Sequence, residues 1–348
     1  MYLDEQIITY LGNKRKLLSL IEKATEPKNK ICLDLFSGSG VVSRLFKEKG
    51  CSKIIANDLE TYSYIINSCY LSNQSDFDIE EYNFYLHQIT EEKPITTGPI
   101  YTYYAPKSEK IKKGERCFYT PENAILIDTY RTAIEKIVPQ TFQKYFIAPL
   151  LYEASVHTNT SGVFKGFYKN KDGIGQWGGE GKNALSRICG TIYLNKPVFS
   201  TQENEVEILQ YDATKIAHPI KCDIAYLDPP YNQHPYGSNY FMLNLIAENK
   251  IPEEISQISG IPKNWNRSSF NKKATALEAL KNTLNNVTAN KIIISYNNEG
   301  FISYEEMVEL LQSFGEVEVM SEEYSTFRGC RNLNARAIHT TEYLFCLR

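Results

Sequence analysis

The segment "ICLDLFSGSGVVSRLF" (31–46) governs how this chain is read. Ile31–Leu35 is a short apolar run of strand length, ending near Asp34. A glycine-rich turn follows, and the pattern Val41–Lys49, closed by Gly50, predicts a helix. Gly38 and Gly40 allow a tight turn with backbone close to a ligand and helix N-terminal amides facing it. Ser43 holds the third glycine position of the dinucleotide pattern G-x-G-x-x-G, so a phosphate cradle is disfavoured. A carboxylate at Asp34 would repel a pyrophosphate and suits an amino group. The turn therefore reads as a nucleoside or amino-acid pocket.

Four more strand-like runs recur at Ile54–Ala56, Val206–Leu209, Ile224–Leu227 and Lys291–Ser295. Helical patterns at Tyr62–Leu71, Leu277–Leu284 and Tyr304–Ser313 alternate with them, which predicts a Rossmann-like α/β core with a mostly parallel sheet. "GEVEVMSEEY" (315–324) and "TEYLFCLR" (341–348) alternate apolar and polar residues with no helix between them. They predict an antiparallel C-terminal strand pair. The rhythm breaks at 73–204, where Glu122–Val138 and Phe142–Val156 read as helices and 92–116 as loop. The core is thus expected at 1–72 and 205–348, with a mainly helical insert at 73–204 and a smaller loop insertion at 248–273.

The 348 residues carry a formal net charge of -3, and no run approaches the ~18 apolar residues of a membrane span. "MYLDEQIITYLGNKRK" lacks the order of a signal peptide, so a soluble, cytoplasmic protein without membrane association is expected. The eight cysteines are scattered without a C-x-x-C pair, which argues against a zinc or redox site and for reduced core residues. Basic clusters at 107–116, 164–171, 266–273 and 327–336 are interleaved with Phe, Tyr and Asn and suggest a nucleic-acid face.

Acids recur where strands end. Asp58 lies in "IIANDLE" (54–60), placed to accept from ribose hydroxyls, and Asp212 follows the Val206–Leu209 run. "IAYLDPPY" (224–231) ends a strand in an acid, two prolines and a ring. Pro229 and Pro230 remove donors and fix the corner, which leaves carbonyls as acceptors. Asp228, a carbonyl and the Tyr231 face match an exocyclic amino group on an aromatic ring.

With "YLGNKRKLL" (10–18), "DLFSGSGVVS" (34–43), "NDLE" (57–60), "YDA" (211–213) and "DPPY" (228–231) in this order, the chain resembles the alpha-group, Dam-like adenine-N6 DNA methyltransferases. The resemblance covers both ends of the chain and makes 73–204 the target-recognition region. "NTSGVFKGFY" (159–168) is similar to the family's N-x-x-G-x-F segment, with Lys165 where Asn is usual. The resemblance implies S-adenosylmethionine as cofactor and Tyr10, Gly12, Asn13, Lys14, Asp34, Phe36, Ser37, Gly38, Gly40, Asp58 and Asp212 around it. It implies Asp228, Pro229, Pro230 and Tyr231 as the catalytic element, acting without a metal on an adenine flipped from duplex DNA. Lys14, Asn159, Lys165, Lys169, Tyr236, Asn239, Tyr240 and Arg328 are the expected DNA contacts. A monomer acting at the nucleoid, in a restriction-modification system whose endonuclease is not a stable partner, completes the expectation. An RNA adenine methyltransferase and a nucleotide-dependent oxidoreductase stay open from sequence.

Overall fold

The computed structural model describes residues 2–182, 184–250, 253–325 and 339–348. Their strands are β1 (Ile31–Asp34), β2 (Lys53–Asn57), β3 (Glu205–Leu209), β4 (Ile220–Leu227), β5 (Val287–Asn297), β6 (Val317–Ser325) and β7 (His339–Leu347). They form one sheet in the order β3-β2-β1-β4-β5-β7-β6. β1 to β5 pair in parallel, while β7 runs antiparallel between β5 and β6. The expected α/β fold with its antiparallel C-terminal pair is therefore what the chain adopts.

The sheet is covered on both faces, as parallel strands require. Side chains alternate along each strand. Leu33, Ala225, Leu227, Ile292, Ile294 and Phe345 join one apolar core with Leu280 and Leu284 of helix Lys273–Asn285 and Met307 and Leu311 of helix Tyr304–Gln312. The alternate residues Cys32, Ile54, Ile224, Tyr226, Ile293 and Leu344 are equally buried. Helix Val41–Glu48 lies against β1 and β2, and helix Leu18–Thr25 against β7. β3 is one edge, where Lys53 of its neighbour pairs with Glu205 at 3.0 Å and Glu207 at 2.8 Å. Charges there discourage pairing with a further strand.

Two compact units emerge. One comprises Asn13–Asn67, Ser200–Pro235 and Arg267–Arg348 and holds the whole sheet. The other comprises Met1–Gly12, Ser68–Phe199 and Tyr236–Asn266. Within it, 73–199 is mainly helical, with Ile79–Thr90, Pro99–Tyr104, Pro121–Ile137, Lys144–Val156 and Leu185–Ile188 among the described residues. Residues 236–266 pack with this insert. Arg131 donates to the Ile246 and Ala247 carbonyls at 2.9 and 3.0 Å, and Arg116 to those of Ser256 and Gln257 at 2.9 Å each. Tyr104 donates to the Gly260 carbonyl at 2.7 Å.

The stretch 92–116, expected as loop, contains the helix Pro99–Tyr104. Its first amides have no local cap. Asp128, from the helix Pro121–Ile137, accepts from the Ile100 and Tyr101 N–H groups at 3.0 and 2.7 Å. A cap supplied 28 and 27 residues away leaves no local trace. Five of the cysteines, Cys32, Cys51, Cys69, Cys117 and Cys346, are buried, and no disulfide forms among the described residues. Cys189 is exposed and Cys222 half-buried.

The turn after β1 depends on Gly40, the N-cap of helix Val41–Glu48, with φ of 78°. A Cβ there would meet Asn67 Oδ1 at 2.6 Å. Left-handed backbone costs an L-residue about 1–2 kcal/mol. Gly40→Ala should therefore lower unfolding free energy by at least that amount in a urea titration, with the midpoint falling and the slope unchanged.

Candidate active site

In the doubly wound part of the sheet, β1 lies between β2 and β4, so the strand order reverses there. Ligands of such sheets bind outside the carboxyl ends of the strands at that point. Asp34 is the last residue of β1, level with Ala56 of β2 and Tyr226 of β4. Asp58 follows β2, Asp212 follows β3, and Asp228 follows β4. β7 enters from the opposite direction, and Glu342 near its start pairs with Asn297 at the end of β5. One edge of the sheet thus collects all five acids.

Asp34 is buried at 1% exposure. Ser43 Oγ donates to its Oδ2 at 2.7 Å, while Oδ1 is buried with no hydrogen-bond partner among the described residues. Burial raises its carboxyl to about 7, against the Ser43 hydrogen bond and with help from the charge of Asp228. Such an orphaned acceptor lacks a cation or N–H donor. The amino group of an amino-acid-like cofactor fits it.

The turn between Asp34 and Val41 is fixed from below. Ser37 N and Oγ both donate to the Asn57 carbonyl, at 2.9 and 3.1 Å. Gly38 N donates to Asp58 Oδ2 at 2.8 Å, and Glu60 N to Asp58 Oδ1 at 2.9 Å. Burial raises the Asp58 carboxyl despite these amides. Asp58 thus ties the glycine turn to β2. Phe36 packs edge-on against Phe270 at 5.5 Å. Asp212 caps the short turn Ala213–Lys215, accepting from Thr214 N at 3.0 Å and Thr214 Oγ1 at 2.8 Å, with Lys215 Nζ at 3.1 Å. Burial would raise it, but those contacts outweigh burial and hold it below the ordinary range.

The corner Asp228–Tyr231 is held at both ends. The Tyr231 carbonyl accepts from Phe301 N at 2.9 Å, and its ring packs against Tyr296 at 5.4 Å. Among the described residues no donor reaches the Pro229 carbonyl. Lys14 is buried, its ammonium 3.0 Å from Asp228 Oδ1 and 3.1 Å from Glu342 Oε1. It also lies 3.4 Å from the Tyr231 hydroxyl. Burial would lower Lys14, but the two carboxylates more than reverse this and keep it cationic. Burial raises Asp228 to about 6, with Lys14 opposing and Glu342 adding to the rise. Asn13 Oδ1 accepts from Arg15 N at 2.9 Å, leaving a buried Nδ2 without a hydrogen-bond partner among the described residues.

Sequence reasoning missed Glu342. In "TEYLFCLR" it reads as a polar residue of an alternating strand, yet it is wholly buried and accepts from Ser295 Oγ at 2.6 Å. Its one sequence signal is an acid in phase with the apolar Leu344 and Cys346, on the covered face.

Of the remaining expected residues, Tyr10, Gly12, Asn159, Lys165, Lys169, Tyr236, Asn239 and Tyr240 lie in the other unit. Tyr10 is stacked on Tyr236 at 5.0 Å and on Tyr240 at 4.8 Å. The Tyr240 hydroxyl accepts from Leu11 N at 2.7 Å, and Tyr236 donates to the Leu11 carbonyl at 3.1 Å. Tyr240 and Asn239 are buried, the latter with an Nδ2 that has no hydrogen-bond partner among the described residues. Gly12, which ends this segment, has a φ of 73°. Asn159, expected at DNA, is fully buried. Its amide donates to the carbonyls of Cys117 and Gln176 at 2.8 and 3.2 Å and accepts from Gly178 N at 3.0 Å. It pins a loop and offers DNA no atom in this conformation. Lys165 and Lys169 are exposed, Lys169 lying 4.8 Å from the Phe167 ring centroid. Arg328 lies outside the described residues. Among those residues no group of three His, Cys, Asp or Glu could hold a metal, and no helix is long and apolar enough to cross a membrane.

A profile of the D12 class N6 adenine-specific DNA methyltransferases matches residues 10–324. The chain belongs to that family. It is similar to the type II methyltransferase M.NlaIII of Neisseria lactamica, with 32% identity across 98% of this chain and 99% of the relative. M.CviAII of Paramecium bursaria Chlorella virus 1 is 33% identical over 97% of both chains. M.FokI of Planomicrobium okeanokoites is 26% identical over 97% of this chain and 52% of its own length. The chain is thus an adenine-specific DNA methyltransferase, and the RNA and oxidoreductase alternatives fall away.

The buried Asp34 gives this methyltransferase a pH signature. An unfolded Asp ionises near 3.9, and the folded one only near 7. The folded state therefore loses stability as pH rises from about 4 to 7, and no more above that. Asp34→Asn should raise the melting temperature by an amount that grows across this window and then levels off. The gain is bounded by about 4 kcal/mol, at 1.36 kcal/mol per pH unit between the two titrations.

Proposed function

We propose that this DNA methyltransferase uses S-adenosylmethionine and that the Asp228–Tyr231 corner grips the amino group of an adenine flipped out of duplex DNA. The observation that carries this is the corner itself. An acid and a carbonyl that no described residue donates to follow β4 at its carboxyl end, next to Asp34 at the end of the neighbouring strand β1.

Asp34 Oδ1 would hold the cofactor's ammonium, and the turn Phe36–Gly40 would wall its methionine part. Asp58, through whichever lone pairs the two amides leave, would face the ribose. Asp212, held ionised by Thr214 and Lys215, would face the adenine amino group. Bound there, the cofactor supplies a methyl group on a sulfonium sulfur. Its two cationic centres match an edge lined by carboxylates, which would reject a pyrophosphate.

The adenine amine is a weak nucleophile because its lone pair is delocalised into the ring. Asp228 and the Pro229 carbonyl would accept its two hydrogens and keep the lone pair on nitrogen. Pro230 keeps the corner rigid, and the Tyr231 ring supplies a stacking face. Acceptors already in place stabilise the positive charge that develops on nitrogen. Flipping costs a few kcal/mol, and stacking on Tyr231 returns about 1–3 kcal/mol. Phosphate contacts from exposed lysines such as Lys165 and Lys169 supply the remainder. We further assign the unit containing 73–204 to target recognition, and read the enzyme as a cytoplasmic monomer of a restriction-modification system.

Asp228→Ala should abolish methyl transfer, read as tritium incorporation into duplex DNA, with cofactor affinity within several-fold of the parent. Retained turnover would remove Asp228 from the mechanism. Lys165→Ala and Lys169→Ala should each weaken DNA binding across all sequences and reduce the slope of log affinity against log salt by about 1. An unchanged slope would make them surface residues only.

A further inference from the structure

The Lys14 ammonium straddles two carboxylates of different character. Asp228 is 18% exposed and sits on the corner that reaches substrate, whereas Glu342 is fully buried behind it on β7. An ammonium resting on Asp228 Oδ1 draws negative charge away from the carboxylate that the adenine amine would meet. Moving it off would ordinarily leave a buried, unpaired cation, at a cost of several kcal/mol. Glu342 lies 3.1 Å away and already accepts from Ser295 Oγ, so the cation has a second seat within its present reach.

We propose that Glu342 is a positioning residue for methyl transfer: it draws the Lys14 ammonium off Asp228 as the adenine amine arrives. This rests on the reading of Asp228 as the amine's acceptor. The exchange frees an Asp228 oxygen without unpairing Lys14, and the trio keeps one negative charge in excess beside the nitrogen that becomes positive. Asp228 is faced by Lys14 from the turn Lys14–Leu17, Glu342 from β7, Tyr226 from β4, Tyr231 from its own corner and Asp34 from β1. Of these, Glu342 and Lys14 act on its charge most strongly, in opposite directions.

The test is steady-state methylation of duplex DNA by Glu342→Gln across pH. With one carboxylate left, Lys14 stays on Asp228, so kcat should fall about tenfold or more, with KM for DNA within about twofold. The acid limb of kcat/KM should move to lower pH, because Asp228 loses a neighbouring negative charge and keeps its cation. Glu342→Asp preserves the charge, and should keep the parental limb and recover most of kcat. A fall in kcat with an unmoved limb, or no fall, overturns the proposal. If Glu342→Gln does not fold, the comparison is made in Lys14→Met, where adding Glu342→Gln should cause no further loss of kcat. A further loss there also overturns it. Asp228→Ala separates the two levels: activity surviving that change defeats the reading of the corner, while a silent Glu342→Gln defeats only the role of Glu342.

Discussion

A lysine buried among carboxylates is the constraint around which this site is arranged. Lys14 has no access to bulk water, so its charge must be matched by the protein. Two chain segments meet that demand from opposite directions. Asp228 comes from the carboxyl end of the parallel strand β4, and Glu342 from the start of the antiparallel strand β7. An ordinary parallel last strand would present its own carboxyl end here. Reversing β7 between β5 and β6 brings the beginning of the final strand to the edge that carries Asp34 and Asp228. The antiparallel pair is therefore part of the site as well as of the fold.

The same edge is strongly electronegative for a reason that burial alone does not supply. Desolvation raises Asp34 and Asp228, and the charge of Asp228 raises Asp34 further. Folding tolerates this only while hydrogen bonds, one lysine and the turn amides offset it. A cationic ligand relieves the strain, and an anionic one adds to it. That asymmetry disfavours a pyrophosphate-bearing dinucleotide, in keeping with the glycine pattern broken at Ser43.

Much of the sheet was legible because its signals are local. Short apolar runs, the glycine turn and acids at strand ends all fall within a few residues, and β1, β4 and helix Val41–Glu48 lie where the sequence places them. What stayed hidden is tertiary. The cap of Pro99–Tyr104 comes from Asp128, and the partner of Lys14 from the far end of the chain. Asn159, of the segment similar to N-x-x-G-x-F, has its side-chain amide on the Cys117 and Gln176 carbonyls, which its sequence does not announce. Tyr10, Tyr236 and Tyr240, expected at the cofactor and base pockets, are also stacked on one another. Aromatic side chains give the same sequence signal in either role.

The most direct test is a crystal structure of the enzyme with duplex DNA and a non-reactive cofactor analogue. The account predicts an extruded adenine whose amino nitrogen lies at about 3 Å from both an Asp228 carboxylate oxygen and the Pro229 carbonyl. Lys14 should then rest on Glu342 alone. An amino nitrogen seated away from that corner, with Lys14 still bridging both acids, would contradict it.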